Sequence, residues 1–286
     1  MKRAKRKIDL VVVSDVHLGT YGSQAKELYA YLRSIKPKTL ILNGDIIDFW
    51  QFSKRYWPKS HMKVIKSIIS MAAKGTRVCY ITGNHDEILR KFSGIRMGNI
   101  EIVNKLEMNL NGTKTWFFHG DVFDVIIQHS KWLARLGAIG YDSLVLVNIV
   151  ANYISRLFGR GKISLSKKIK ENVKTAVNYI GSFEQTAASL AVQKGFSSIV
   201  CGHIHHPEMK EIHVPKNGRI LYLNAGDWVE NLSALEYHKG TWRIYRFNED
   251  ASWKNSPEDN DDPDLKMVEL ESKEIYKMLC DEFQQG

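Results

Sequence analysis

Short apolar runs alternate with amphipathic stretches through the first third of the chain. Residues 8–13 (IDLVVV), 39–43 (TLILN) and 77–82 (RVCYIT) each read as a buried strand. Between them, residues 24–35 predict a helix. A second helix, over 61–74, places Val64, Ile65, Ile68, Ile69 and Ala72 on one face, with Gly75 as its C-terminal stop. The order βαβαβ predicts a parallel or mixed sheet with helices on its faces.

The pattern then shifts toward hairpins. Residues 106–118 (LEMNLNGTKTWFF) read as two alternating strands joined at Asn111-Gly112. Residues 211–226 and 232–247 repeat the arrangement around Lys-Asn-Gly and Lys-Gly. A helix near 183–194 leads into a strand at 197–201 (SSIVC). No internal repeat interrupts this order, and one catalytic domain over 1–247 is expected.

Residues 122 to about 182 break the scheme as a helical insertion. Within 142–158 the polar stripe is narrow, built from Asn148, Asn152 and Ser155 or Arg156, and apolar residues such as Leu144, Ile149 and Leu157 fill the other faces. Asn interrupts the stretch too often for a bilayer span of about 20 apolar residues. Arg156, Arg160, Lys162, Lys167, Lys168 and Lys170 follow before the next acid, Glu171. Apolar beside basic sequence suits contact with anionic lipid. The same residues also suit a helix capping the core beside a solvated loop.

Charge sharpens this picture. The net charge is +10, yet from Asn248 onward twelve acids face four bases, so residues 1–247 carry +18 and 248–286 form an acidic tail. In that tail, residues 255–264 read as a flexible linker and 265–283 as a short helix. A basic body suits phosphate-bearing substrates, nucleic acid or anionic membrane. Cys79, Cys201 and Cys280 form no spaced pair, which argues against a disulfide framework or a Cys-based zinc site. Asp9 and Asp15 confine the first apolar run to a length too short for a signal peptide, so a basic arm and a first strand are expected.

Five short segments place Asp, Asn or His at or just beyond an apolar strand: SDVHLG (14–19), NGDIID (43–48), GNHDE (83–87), FFHGD (117–121) and CGHIHHP (201–207). Ligands collect beyond strand C-terminal ends in open α/β sheets. Asp15 and His17, two apart on an extended strand, can reach one ion. His203 and His205 repeat that spacing in a loop, from which each can reach a different ion. Carboxylate, amide and imidazole ligands without thiolate favour Mn²⁺, Fe²⁺, Co²⁺ or Zn²⁺. Two ions about 3.5–4 Å apart can clamp an attacking and a phosphoryl oxygen, and they need a bridging carboxylate, for which Asp45 is the natural candidate. His85, between Asn84 and Asp86, fits a metal ligand, a catalytic acid or a polar turn residue.

In this order the five segments resemble the calcineurin-like metallophosphoesterase superfamily, whose pattern is D-x-H, G-D, G-N-H-[DE], H and G-H-x-H. The resemblance spans Ser14 to Pro207 and is complete at every ligand position. It implies an α/β fold, a four-layer αββα sandwich of two mixed sheets. It also implies two divalent ions, with Mn²⁺ the first expectation: Asp15, His17, Asp45 and His205 would hold one, and Asp45, Asn84, His119 and His203 the other. His85 would be the substrate-facing residue and Asp86 the acid that orients it, leaving an imidazole available near neutral pH.

Within the superfamily, Phe49 and Trp50 occupy the stretch where protein phosphatases carry a phosphate-gripping Arg. The chain also lacks the interleaved basic and aromatic residues of a nucleic-acid surface. GDIIDFW, the insertion, and NAGDWVENLSALEY (224–237) look like the UDP-2,3-diacylglucosamine diphosphatases of lipid A synthesis. The departures are His85, where the proteobacterial enzymes have Arg, and the sequence of the insertion. The resemblance implies cleavage of that lipid-linked nucleotide diphosphate to UMP and 2,3-diacylglucosamine 1-phosphate. The setting would be the cytoplasm, peripheral to the inner membrane, with the insertion meeting the anionic surface. A phosphodiesterase acting on another nucleotide-diphosphate lipid or on nucleic acid, and a non-catalytic lipid- or protein-binding scaffold, are the competing readings.

Overall fold

The structure is a computed structural model that describes residues 5–51, 56–127, 166–215 and 218–250. The apolar stretch at 142–158, most of the basic stretch after it and the tail from residue 251 lie outside the described residues.

Two mixed sheets face each other. The first runs in the order β12-β11-β1-β2-β3-β5-β4 and the second β6-β7-β8-β10-β9. Their strands are β1 (Arg6–Val13), β2 (Ile35–Asn43), β3 (Arg77–Ile81), β4 (Arg96–Met97), β5 (Ile100–Val103), β6 (Leu106–Leu110), β7 (Thr113–Phe117), β8 (Ser198–Cys201), β9 (Glu208–Val214), β10 (Gly218–Asn224), β11 (Ser233–His238) and β12 (Thr241–Arg246). The helices are α1 (Ala25–Ser34), α2 (Lys59–Ala73), α3 (Val122–Ile127) and α4 (Ser166–Gln193).

Alternation along the strands sorts side chains into three cores. Val11 and Val13 of β1 point outward onto Leu28, Leu32, Val64 and Ile68 of α1 and α2. Leu10 and Val12 point the other way, where they meet Phe117, Val200 and Leu223 of the second sheet. The outer face of that sheet, with Ile199, Ile220 and Tyr222, packs on Phe183, Ala187 and Ala191 of α4. Helix, sheet, sheet, helix is therefore the layer order, as the family resemblance implies.

All three expected hairpins form. At Asn111-Gly112 both residues have positive φ (52° and 88°), the conformation a two-residue turn needs. Three boundaries differ from expectation. Strand β2 begins at Ile35, because Lys36 and Pro37 pair in parallel with Lys7 and Ile8 despite their polarity and missing donor. The helix expected at 183–194 is the end of the longer α4. Strands β4 and β5 were not expected, and they add to β3 at the sheet edge.

Candidate active site

Strand β1 leads into Asp15 and His17, β2 into Asp45, and β3 into Asn84 and His85. From the second sheet, β7 leads into His119 and β8 into His203 and His205. The site therefore lies where strand ends of both sheets converge, under a cavity of about 560 Å³.

The turns that carry these side chains are strained. Asp15, His17, Asp45, His203 and His205 all have positive φ, between 51° and 69°. Such a conformation costs on the order of 1–3 kcal/mol per residue and persists only where the surroundings enforce it. It replaces the expected extended Asp-x-His geometry, since Asp15 and His17 reach the centre from a turn beyond β1. Space is equally constrained. A methyl on Gly44 would overlap His119, and one on Gly83 would overlap Asp45, so the backbone must pass against these two side chains.

Among the described residues the donor atoms fall into three groups, two of which share His17. Asp15, His17 and His205 gather ligand atoms within 4.8 Å of one another, and so do Asp45, His119 and His203. Asn84 joins the second group, its Oδ1 lying 3.2 Å from His119 Nε2. Asp45 is central, with Oδ2 3.1 Å from His119 Nε2 while Oδ1 accepts the backbone N–H of His85. Burial opposes ionisation of Asp45, but His119, supported by His85 and His17, outweighs it and holds the carboxyl well below its usual range. The partner effect appears at His205: burial disfavours its charge, yet Asp15 lifts its pKa to about 9. Crowded carboxylates and imidazoles of this kind fit divalent cations of the transition series.

Three of the four candidate ligand rings are aimed by a second hydrogen bond. His119 Nδ1–H donates to the Asn43 carbonyl at 2.9 Å, leaving Nε2 toward the centre. His17 Nδ1–H donates to Asp48 at 3.0 Å, and His203 Nε2–H to Asp124 at 2.8 Å. Asp124 in turn accepts from Tyr179 of α4. Such outer contacts fix the tautomer and orientation of ligating imidazoles.

His85 lines the cavity and, with His17 and Asp48, forms a third set of ligand atoms within 4.8 Å of one another, which shares His17 with the first group. Its Nδ1 lies 2.8 Å from Asp48 Oδ2, close enough for an ion pair but off the angle of a hydrogen bond. Burial lowers the pKa of His85, and Asp48 and Asp45 raise it further than burial lowers it. The Trp50 ring packs on the imidazole with centroids 4.3 Å apart. The acid beside His85 is thus Asp48, whereas Asp86 was expected. Asp86 instead accepts from Gly83 N (2.5 Å), Ile46 N (2.9 Å) and Tyr80 Oη (2.6 Å), fastening the loop that carries Asn84 and His85. Asp48 is itself an orienting group, for its other oxygen accepts from the Trp50 and Gln51 amides.

Asp48, Asp124 and Tyr179 are contributors that the sequence reading left unassigned. Asp48 was visible as the second acid of NGDIID. Tyr179 carries no local signal, because its partner is distant in sequence. Asp227, in NAGDWVEN, accepts from the backbone of Val229 and Glu230, and Asn231 donates to the His205 carbonyl. That segment therefore braces the loop bearing His203 and His205.

Two facing mixed sheets with Asp, Asn and His gathered at their strand ends define a metallophosphoesterase. Residues 8–207 match the calcineurin-like phosphoesterase family, and the chain belongs to it. A UDP-2,3-diacylglucosamine hydrolase of Aliivibrio fischeri (strain MJ11) is 23% identical, covering 83% of this chain and 98% of its own. Its counterpart from Vibrio cholerae serotype O1 (strain ATCC 39541) is 22% identical, covering 80% and 93%. Among solved structures, Yfce, a phosphoesterase from E. coli, is similar at 14% identity and a TM-score of 0.41, covering 84% and 93%. Among the described residues no helix is long and apolar enough to cross a membrane.

Proposed function

We propose that the chain hydrolyses the diphosphate of UDP-2,3-diacylglucosamine, giving UMP and 2,3-diacylglucosamine 1-phosphate at the cytoplasmic face of the inner membrane. The observation that carries the reaction class is the convergence of Asp, Asn and His donors from the strand ends of both sheets under one cavity, which His85 also lines. The substrate is suggested by the hydrolases of that name, alike over most of their length.

In this reading Asp15, His17, Asp45 and His205 hold one divalent ion and Asp45, Asn84, His119 and His203 the other, with Mn²⁺ the expected metal. Bound ions supply Lewis acidity to phosphoryl oxygens and make water a competent nucleophile near neutral pH. His85, whose pKa Asp48 and Asp45 raise, faces the diphosphate and delivers a proton to the leaving oxygen. Asp48 positions both His85 and His17, and Asp124 positions His203. Asp86 holds the loop and takes no part in the proton transfer. Residues 1–247 act as one catalytic domain whose insertion, 122–182, receives the acyl chains, and 248–286 form a separate acidic tail.

The test is a panel of nucleotide-diphosphate lipids, cyclic nucleotides and DNA, each with Mn²⁺. The lipid diphosphate is expected to turn over fastest. Good turnover of simple phosphodiesters with none of the lipid would reject the substrate and leave the enzyme class intact.

A further inference from the structure

Of the ten large apolar side chains that stand exposed among the described residues, six lie on or are tied to the segment that follows His85. Ile88, Phe92, Ile95 and Met97, between 40% and 57% exposed, follow His85 within twelve residues. Phe49 joins them through its amide, which donates to the His85 carbonyl at 3.0 Å. Val122 joins them because its neighbour Asp121 is held by Arg90 at 2.5 Å. A soluble surface scatters such residues, so a cluster of this kind marks an interaction site.

The cluster is also basic. Residues 87–97 contain Arg90, Lys91 and Arg96 against the single acid Glu87. Arg96 binds Glu101 yet keeps 73% of its side chain in solvent, and the Lys91 ammonium stands 5.1 Å over the Phe92 ring. The backbone beneath is firm. Gly94 N donates to the Ile102 carbonyl, Ile102 N to the Ile95 carbonyl, and Arg96 and Met97 pair with Glu101 and Ile100 of β5. A short, fixed platform thus presents apolar tips among cations.

We infer that the platform Ile88–Met97, with Phe49 and Val122 beside it, seats the protein on an anionic bilayer. Apolar tips enter the boundary between head groups and acyl chains while Lys91 and Arg96 meet lipid phosphates. The excess of bases is complementary to that surface. Seating on this surface holds the chain at the membrane beside a lipid-borne substrate, a consequence that rests on the proposed function.

The test is cosedimentation of the full chain with vesicles, phosphatidylcholine alone or mixed with phosphatidylglycerol, without substrate. The wild-type chain is expected to bind only the anionic vesicles. Phe92→Ser/Ile95→Ser/Met97→Ser should weaken that binding by about tenfold or more, with hydrolysis of bis(p-nitrophenyl) phosphate unchanged. In a second arm an environment-sensitive dye is placed on Met97→Cys in a Cys280→Ser background, with Cys79 and Cys201 buried. A blue shift on anionic vesicles is expected. No wild-type binding, binding that survives the triple substitution, or a dye that stays in water would each overturn the inference. Turnover of the lipid diphosphate in detergent micelles is read separately, so the substrate can fail while the surface stands, or the reverse.

Discussion

Nδ1 of His85 lies 2.8 Å from Oδ2 of Asp48, and the same oxygen accepts from His17 at 3.0 Å. One carboxylate thereby orients a candidate ligand and a candidate acid together. Asp48→Ala is expected to lower kcat by about 10²–10³-fold and to weaken metal binding by about 10–100-fold. Steady-state kinetics and calorimetric metal titration check both effects. Unchanged values for either would detach Asp48 from that group.

His85→Ala separates ligation from proton transfer. The variant should keep its metal content while kcat falls about 10²–10⁴-fold. Loss of metal in step with activity would make His85 a ligand.

Asp86 is expected to behave differently. Its carboxyl is buried and satisfies two backbone amides and the Tyr80 hydroxyl, all of which lose a partner in Asp86→Ala. A destabilisation on the order of 3 kcal/mol should follow, visible in urea unfolding, with residual activity tracking the folded fraction.

These contrasts show which features were legible in the sequence. The βαβαβ order was legible, because short apolar runs separated by amphipathic stretches mark it, whereas Leu10, Val11, Val12 and Val13 are all apolar and only the structure divides them between the two faces of the sheet. The ligand types at strand ends were equally readable. The acid paired with His85 was not, since the family resemblance put Asp86 in that role, whereas the turn after β2 delivers Asp48 from a different strand end. Tyr179 and Asp124 meet through tertiary packing alone. Strand β5 was missed because residues 96–103 alternate too briefly, and the start of β2 because Lys36 and Pro37 disguise it.

Glu236 supplies a pH test away from the site. Burial raises its pKa, but hydrogen bonds from Arg6, Arg243 and Tyr31 outweigh that and hold it below its usual value. A depressed carboxyl contributes stability above its unfolded pKa of about 4.3 and loses that contribution as pH falls through the folded value. Glu236→Gln should therefore cost about 2 kcal/mol at pH 7, and the gap to the wild-type chain should close as pH drops below about 4. A gap independent of pH would assign the effect to packing instead.

The central claim is a two-ion centre bridged by Asp45. Its most direct test is metal content measured by mass spectrometry beside turnover of UDP-2,3-diacylglucosamine, as chelated protein is titrated with Mn²⁺. The expected result is two ions per chain, with turnover rising as the second binds and both lost in Asp45→Asn. Full turnover in the chelated protein, or turnover complete with one ion, would contradict it.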